Sequence, residues 1–183
     1  MIFNVAGLLK GTSGSAKKYN LEDEELSSEE QGSFEHISGP ITLMRTDRTI
    51  MVMGKLKAMT HRECSRCLEP AVLDLEAEIE EEYHPVNRDL GGTQRENHFE
   101  EDPLDPVLLI DDRNNLDLSQ AVLESLAGVM PIAPLCQPDC RGLCPVCWKD
   151  RNKTPCNCQQ NTSDPRLAGL AELGTYKAHS AGN

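Results

Sequence analysis

Residues 72–83 read VLDLEAEIEEEY, and their spacing decides the fold. Leu, Glu and Ala favour helices. Yet Leu73, Leu75, Ala77 and Ile79 alternate with Asp74, Glu76, Glu78 and Glu80, and an apolar residue at every second position predicts a strand with one buried face. The same alternation sends neighbouring carboxylates to opposite faces, so EIEEEY is a poor site for a hard metal. Upstream, ITLMRTDRTIMVMGKLKAM (41–59) holds two β-type runs around the turn-like RTDRT, which predicts a hairpin. Cys64-Ser-Arg-Cys67 then falls near the tip of a second hairpin, between residues 50–60 and 71–83.

Further out the signals are more varied. FNVAGLL (3–9) has the composition of a short strand, and the polar, Ser-rich and acidic SGSAKKYNLEDEELSSEE (13–30) reads as a mobile loop. Residues 87–105, acidic and broken by Gly-Gly and Pro, read as a long surface loop, and PVLLI (106–110) as a further strand. DLSQAVLESLAGVM (117–130) is the clearest helix, with Asp117 as cap, Gln120 completing a capping box, and Leu118, Val122, Ser125 and Val129 at helical spacing. SDPRLAGLAEL (163–173) predicts a short C-terminal helix opened by Pro165. The expected architecture is α+β: an antiparallel β-rich body over residues 1–135 with one main helix, and a cysteine-rich zinc-binding module over 136–183.

Composition narrows the chemistry. With three Phe, three Tyr and one Trp among 183 residues, few side chains supply large buried areas, and a structural metal would compensate. The formal net charge of −12 repels phosphate backbones at long range. That charge is unevenly spread. Residues 42–68 carry six basic side chains against two acidic ones, 69–112 carry two against fifteen, and 136–183 carry six against four. No apolar run approaches the roughly 20 residues of a membrane span, and MIFNVAGLLKG lacks the basic start and apolar core of a signal peptide. A cytoplasmic location is expected, where disulfides are rare and metal ligation is the commoner use of paired cysteines.

Six of the eight cysteines lie in CQPDCRGLCPVCWKDRNKTPCNC (136–158). Zinc takes four sulfurs tetrahedrally, and a C-x-x-C turn converges two of them on one ion. The chain has two such turns, Cys64/Cys67 and Cys144/Cys147, with the pairs Cys136/Cys140 and Cys156/Cys158 beside them. Eight cysteines allow two tetrathiolate sites. The preferred arrangement places Cys144, Cys147, Cys156 and Cys158 on one ion, because the intervening loop is short. Cys64, Cys67, Cys136 and Cys140 take the other. A single site using Cys140, Cys144 and Cys147 with Cys156 or Cys158 is the rival, and His61 is a possible substitute ligand. Iron–sulfur ligation uses similar spacing. Redox thiols want their pair at a helix N-terminus after a strand, which neither C-x-x-C offers. No H-E-x-x-H, phosphate loop or nucleophile elbow is present, so no enzyme is expected and no small-molecule substrate.

The order CSRCLEP (64–70), DLSQAVLESL (117–126), MPIAPLCQPDCRGLCPVC (130–147), CNC (156–158) and DPRLAGLAEL (164–173) resembles the YceD family, from about Gly39 to Leu173 and most strongly from Leu116 onward. The resemblance implies a role in accumulation or processing of large-subunit ribosomal RNA. It carries over the cysteine pairs with Arg66, Gly142, Leu143, Pro145, Asp164, Pro165 and Arg166, and no catalytic residue. Two stretches depart from the pattern. Family members usually have Gly after the C-P-x-C pair, which tolerates φ > 0; here Trp148 stands there, implying a different turn, a strained one or an altered site. The following KDRNKTP also differs.

Two partners follow. The first is ribosomal RNA or a ribosome-assembly protein, with phosphate contacts from Arg45, Arg48, Lys55, Lys57, Arg62, Arg66, Arg141, Lys149, Arg151 and Lys153. The second is a basic protein meeting the acidic run EAEIEEEY and the loop RENHFEEDPLD, with the chain as a zinc-stapled adaptor.

Overall fold

A computed structural model describes residues 1–86 and 106–158. Strand β1 (Ile2–Asn4) leads into a one-turn helix α1 (Ala6–Leu9). Four long strands follow: β2 (Ala16–Ser28), β3 (Gly32–Arg45), β4 (Ile50–Glu63) and β5 (Pro70–Pro85). A 3-10 turn (Pro106–Leu108), the short strands β6 (Leu109–Ile110) and β7 (Asn115–Asp117), and helix α2 (Ser119–Gly128) complete the regular elements.

The sheet order is β2-β3-β4-β5-β6, and β1 pairs with β7 in a separate two-stranded ribbon. Pairing is antiparallel from β2 to β5, and β6 joins β5 in parallel. The β4–β5 ladder is unbroken from Ile50↔Tyr83 to Glu63↔Pro70. It delivers Cys64–Cys67 to the turn, as the spacing implied. On β5, Ala71, Leu75, Ala77, Ile79 and Tyr83 are buried while Asp74, Glu76, Glu78, Glu80 and Glu82 are exposed. Period two wins over helix propensity because alternate positions face one apolar layer.

That layer is closed by α2, which packs against both β5 and β2, so the sheet curls around the helix. Ala121, Val122, Leu123 and Leu126 of α2 meet Phe34, Ile37, Ile41, Leu43, Ile50, Val52, Leu56, Ile79 and Tyr83 in one cluster. The β3–β4 register shifts between Glu35 and Ser38. Just beyond the shift Gly39 lets β3 press on β4: its φ is +143°, and a Cβ there would lie 2.1 Å from the Lys55 carbonyl oxygen.

Several expectations change. Residues 16–28 form an edge strand, not a loop. Tyr19, Leu21 and Leu26 turn toward the core, but register shifts on both sides of Glu24 separate Leu21 from Leu26 by an odd step. The bulge breaks the alternation that would have marked a strand, and β3 supplies the partner that acidic composition hid. FNVAGLL divides between β1 and α1. PVLLI is mostly a 3-10 turn, with only Leu109 and Ile110 in the sheet. The main helix begins after Asp117, which belongs to β7. The Asp117 carboxylate accepts from the Ser119 backbone N–H at 2.9 Å and its hydroxyl at 2.6 Å, and also pairs with the N-terminal amine. Gln120 donates to Glu124 instead of completing a capping box. Val129 is exposed beyond the helix end. The loop 87–105 and the helix expected at 163–173 lie outside the described residues.

Candidate metal centre

Each C-x-x-C pair is held by the same backbone turn. In the first, the Cys64 N–H donates to the Glu69 carbonyl at 2.9 Å and the Leu68 N–H to the Cys64 carbonyl at 2.9 Å. In the second, the Cys144 N–H donates to the Lys149 carbonyl at 2.9 Å and the Trp148 N–H to the Cys144 carbonyl at 2.8 Å. The residue leaving each turn is left-handed, Leu68 at φ 62° and Trp148 at φ 59°. The turn is therefore unchanged at Trp148, and that residue carries the backbone strain. Leu68 shows the first turn to have the same demand, a parallel that C-x-x-C spacing alone does not disclose.

The turns point N–H groups at sulfur. Burial opposes ionisation of Cys64, but the backbone N–H groups of Arg66, Cys136 and Cys67 outweigh it and bring its thiol down to about 6. The N–H groups of Cys147 and Val146 do the same for Cys144, also to about 6. Once one thiolate stands in each cluster its neighbours resist ionising. Cys67 beside Cys136, and Cys147 beside Cys158, help push Cys136 and Cys158 up to about 12. Four sulfurs crowded together need a cation before all can ionise.

The chain path brings the cysteines into two groups of four: Cys64, Cys67, Cys136 and Cys140, and Cys144, Cys147, Cys156 and Cys158. Within each group the sulfurs lie within 4.8 Å of one another. Cys64 and Cys140 Sγ are 3.7 Å apart, and Cys67 and Cys136 Sγ 3.5 Å. A zinc–sulfur bond of about 2.3 Å implies a tetrahedral edge of about 3.8 Å, so the first group already has the dimensions of a tetrathiolate zinc site. Sulfurs this close leave room for one ion, not a multi-iron cluster. All eight cysteines are free of disulfides. Two four-cysteine clusters with the geometry of structural zinc sites are thus built into the fold. His61 lies outside both, on β4, with its ring 3.8 Å from Glu35.

Contacts fasten the first turn to the C-terminal segment. Arg66 Nη1 donates to the Cys140 carbonyl at 2.9 Å, Ser65 N–H to the Pro134 carbonyl at 2.8 Å and Leu143 N–H to the Arg66 carbonyl at 3.0 Å. Gly142, at φ 67°, allows this approach: a Cβ there would sit 2.8 Å from the Arg66 carbonyl oxygen. Asn152, which the cysteine pattern did not single out, accepts from the Arg141 N–H at 2.8 Å and donates to Cys140 Sγ at 3.3 Å. An Asn in a polar loop gives no local signal of such a role.

The basic residues divide by what they touch. Arg45 donates to the carbonyls of Leu9, Gly11 and Asp47. Arg62 bridges the Gln31 carbonyl to Met130 Sδ, fixing the β2–β3 turn near the end of α2. Lys55 pairs with Glu78, Lys57 with Glu76, and Lys153 with Glu69 on the surface. Arg48, Arg141, Lys149 and Arg151 are exposed, and their side chains have no hydrogen-bond or ion-pair partner among the described residues.

The pattern of the YceD family, described as large ribosomal RNA subunit accumulation protein YceD, matches residues 52–174. The chain belongs to the YceD family. The match opens in β4 and takes in every cysteine of both clusters. An uncharacterized protein of Mycobacterium bovis is 30% identical over 124 residues, covering 68% of this chain and 55% of that protein. One of Mycobacterium tuberculosis matches to the same extent. One of Mycobacterium leprae is 28% identical over 99 residues, covering 54% of this chain and 41% of the relative. The chain thus spans about half the length of the curated relatives it matches. No solved structure matches it. No helix among the described residues is long and apolar enough to cross a membrane.

Proposed function

We propose that this chain is a non-enzymatic, zinc-stapled accessory factor in the accumulation, processing or stability of large-subunit ribosomal RNA, acting in the cytoplasm. Cys64, Cys67, Cys136 and Cys140 hold one zinc, and Cys144, Cys147, Cys156 and Cys158 the other. The observation that carries the reading is the first cluster, which joins the β4–β5 hairpin to the C-terminal module. The family description supplies the ribosomal RNA connection. Zinc contributes shape: four thiolates neutralised in part by a divalent ion replace apolar core that the module lacks.

Arg48, Arg141, Lys149 and Arg151 are the side chains best placed to meet phosphate, and Lys55, Lys57 and Lys153 would exchange exposed carboxylates for it. Arg45, Arg62 and Arg66 serve mainly to hold the surface in shape. Filter binding of zinc-loaded protein to large-subunit ribosomal RNA at two salt concentrations tests direct contact, and absence of affinity at low salt refutes it. The second reading is an adaptor for a basic protein. It is favoured by the exposed row Asp74, Glu76, Glu78, Glu80 and Glu82 on β5. Co-purification of basic ribosomal proteins in the absence of RNA would select it.

A further inference from the structure

Trp148 is the chain's one tryptophan and is 73% exposed. It occupies a left-handed position at φ 59°, unfavourable for a bulky aromatic residue. Among the described residues its ring makes no aromatic or cation–π contact. Strain and exposure together give the fold no return, which directs attention to a ligand.

Its surroundings indicate which ligand. Trp148 lies in a small hairpin closed by the Leu143↔Asp150 bridge and the Arg151 N–H to Gly142 carbonyl bond of 3.0 Å. Lys149 follows it directly, and Arg141 and Arg151 stand on the two arms, all three exposed. Arg151 is three residues on, no more than about 10 Å along the chain. A flat apolar ring exposed on a hairpin whose neighbouring residues carry guanidinium and ammonium groups matches one stacked base and its flanking phosphates. Bulk charge contributes little. Residues 136–158 carry four basic against two acidic side chains, and a zinc ion with four thiolates returns a formal charge of about −2. Ring stacking must then supply much of the affinity.

We infer that Trp148 is a stacking platform for an unpaired base of single-stranded RNA, with Lys149, Arg151 and Arg141 on the adjacent phosphates. The inference rests on the direct-RNA form of the proposed function and deepens it. A duplex offers no free base face in its interior, so the site discriminates single strands from double strands.

The experiment uses full-length zinc-loaded protein and a short single-stranded RNA of mixed sequence, with its duplex as comparison. Because Trp148 is the only tryptophan, fluorescence excited at the red edge, beyond the absorption of the three tyrosines, reports on this ring alone. The single strand should quench it and the duplex should not. Trp148→Gly suits the left-handed backbone, so it should retain two zincs and its circular dichroism while binding about 5- to 150-fold more weakly. Trp148→Phe keeps a stacking face and should stay within a few fold of wild type. With three free cations, the slope of log affinity against log salt should be no steeper than about −2. Single-strand binding by filter assay without quenching, or unchanged binding by Trp148→Gly, overturns the inference and leaves direct RNA recognition standing elsewhere on the surface. Equal quenching by duplex overturns the single-strand assignment. Absence of binding to any RNA at low salt overturns both, including where a basic ribosomal protein quenches the ring and RNA does not.

Discussion

Replacing Cys136 with Ser isolates the staple between the hairpin and the C-terminal module. Cys136 is the exposed member of its cluster, whereas Cys64, Cys67 and Cys140 are buried. The substitution therefore removes a ligand while leaving apolar packing nearly untouched. The link it breaks closes a long loop: Cys67 and Cys136 are 69 residues apart, and Cys64 and Cys140 are 76 apart. Treated as a cross-link, closure of such a loop is worth about 4 kcal/mol of unfolded-chain entropy. For a chain of this size that corresponds to a fall in melting temperature of roughly 8–16 °C. Metal analysis should read two zincs per wild-type chain and one per Cys136→Ser chain. Thermal unfolding should show the stated drop, and chelation should lower wild type further by emptying the second site too. Retention of two zincs by Cys136→Ser, or loss of both together, would refute the separation into two independent tetrathiolate sites.

Zinc uptake by metal-free protein should release fewer than four protons per ion at a pH of about 7.5, since Cys64 and Cys144 are already ionised with values of about 6; calorimetry in buffers of differing ionisation enthalpy measures this. For that metal-free fold the sign follows from the depressed values: what these two thiolates contribute is complete above the ordinary thiol value of 9 and is lost as pH falls through about 6. Cys136 and Cys158, raised to about 12, act oppositely, favouring the fold below pH 9 and ceasing to do so as pH climbs toward 12. Gly142→Ala places a Cβ 2.8 Å from the Arg66 carbonyl at φ 67°, and chemical denaturation should show a loss of about 1–3 kcal/mol. Arg62→Ala should cost about 1.5–3 kcal/mol by breaking charged hydrogen bonds at the β2–β3 turn, whereas Arg151→Ala should leave unfolding unchanged and weaken RNA retention on filters.

β4, β5 and the last part of β3, from Ile41, were legible because they bury alternate residues against a single apolar layer, so periodicity survives in the local sequence. The hairpin tip at Cys64–Cys67 followed from it. Residues 32–40 of β3 gave no such signal, since the register shifts between Glu35 and Ser38. β2 was not legible. A bulge near Glu24 shifts its phase between Leu21 and Leu26, and only pairing with β3 reveals a strand in so acidic a segment. The cysteine pairs themselves are local features, and their number called for metal from sequence alone.

How four pairs divide into two sites is a different kind of fact. Short spacing favoured one grouping, but four pairs combine two by two in three ways, and residues 69 apart meet only if the sheet carries them there. Arg45 and Arg62 make the same point. As charges in a sequence they resemble Arg151, yet tertiary contacts commit them to backbone carbonyls and leave Arg151 exposed. Periodicity and ligand type are properties of neighbours along the chain, and sequence alone determined them. Which distant thiols share an ion, and which cations remain available, depends on the path of the whole backbone, and only the tertiary structure decided it.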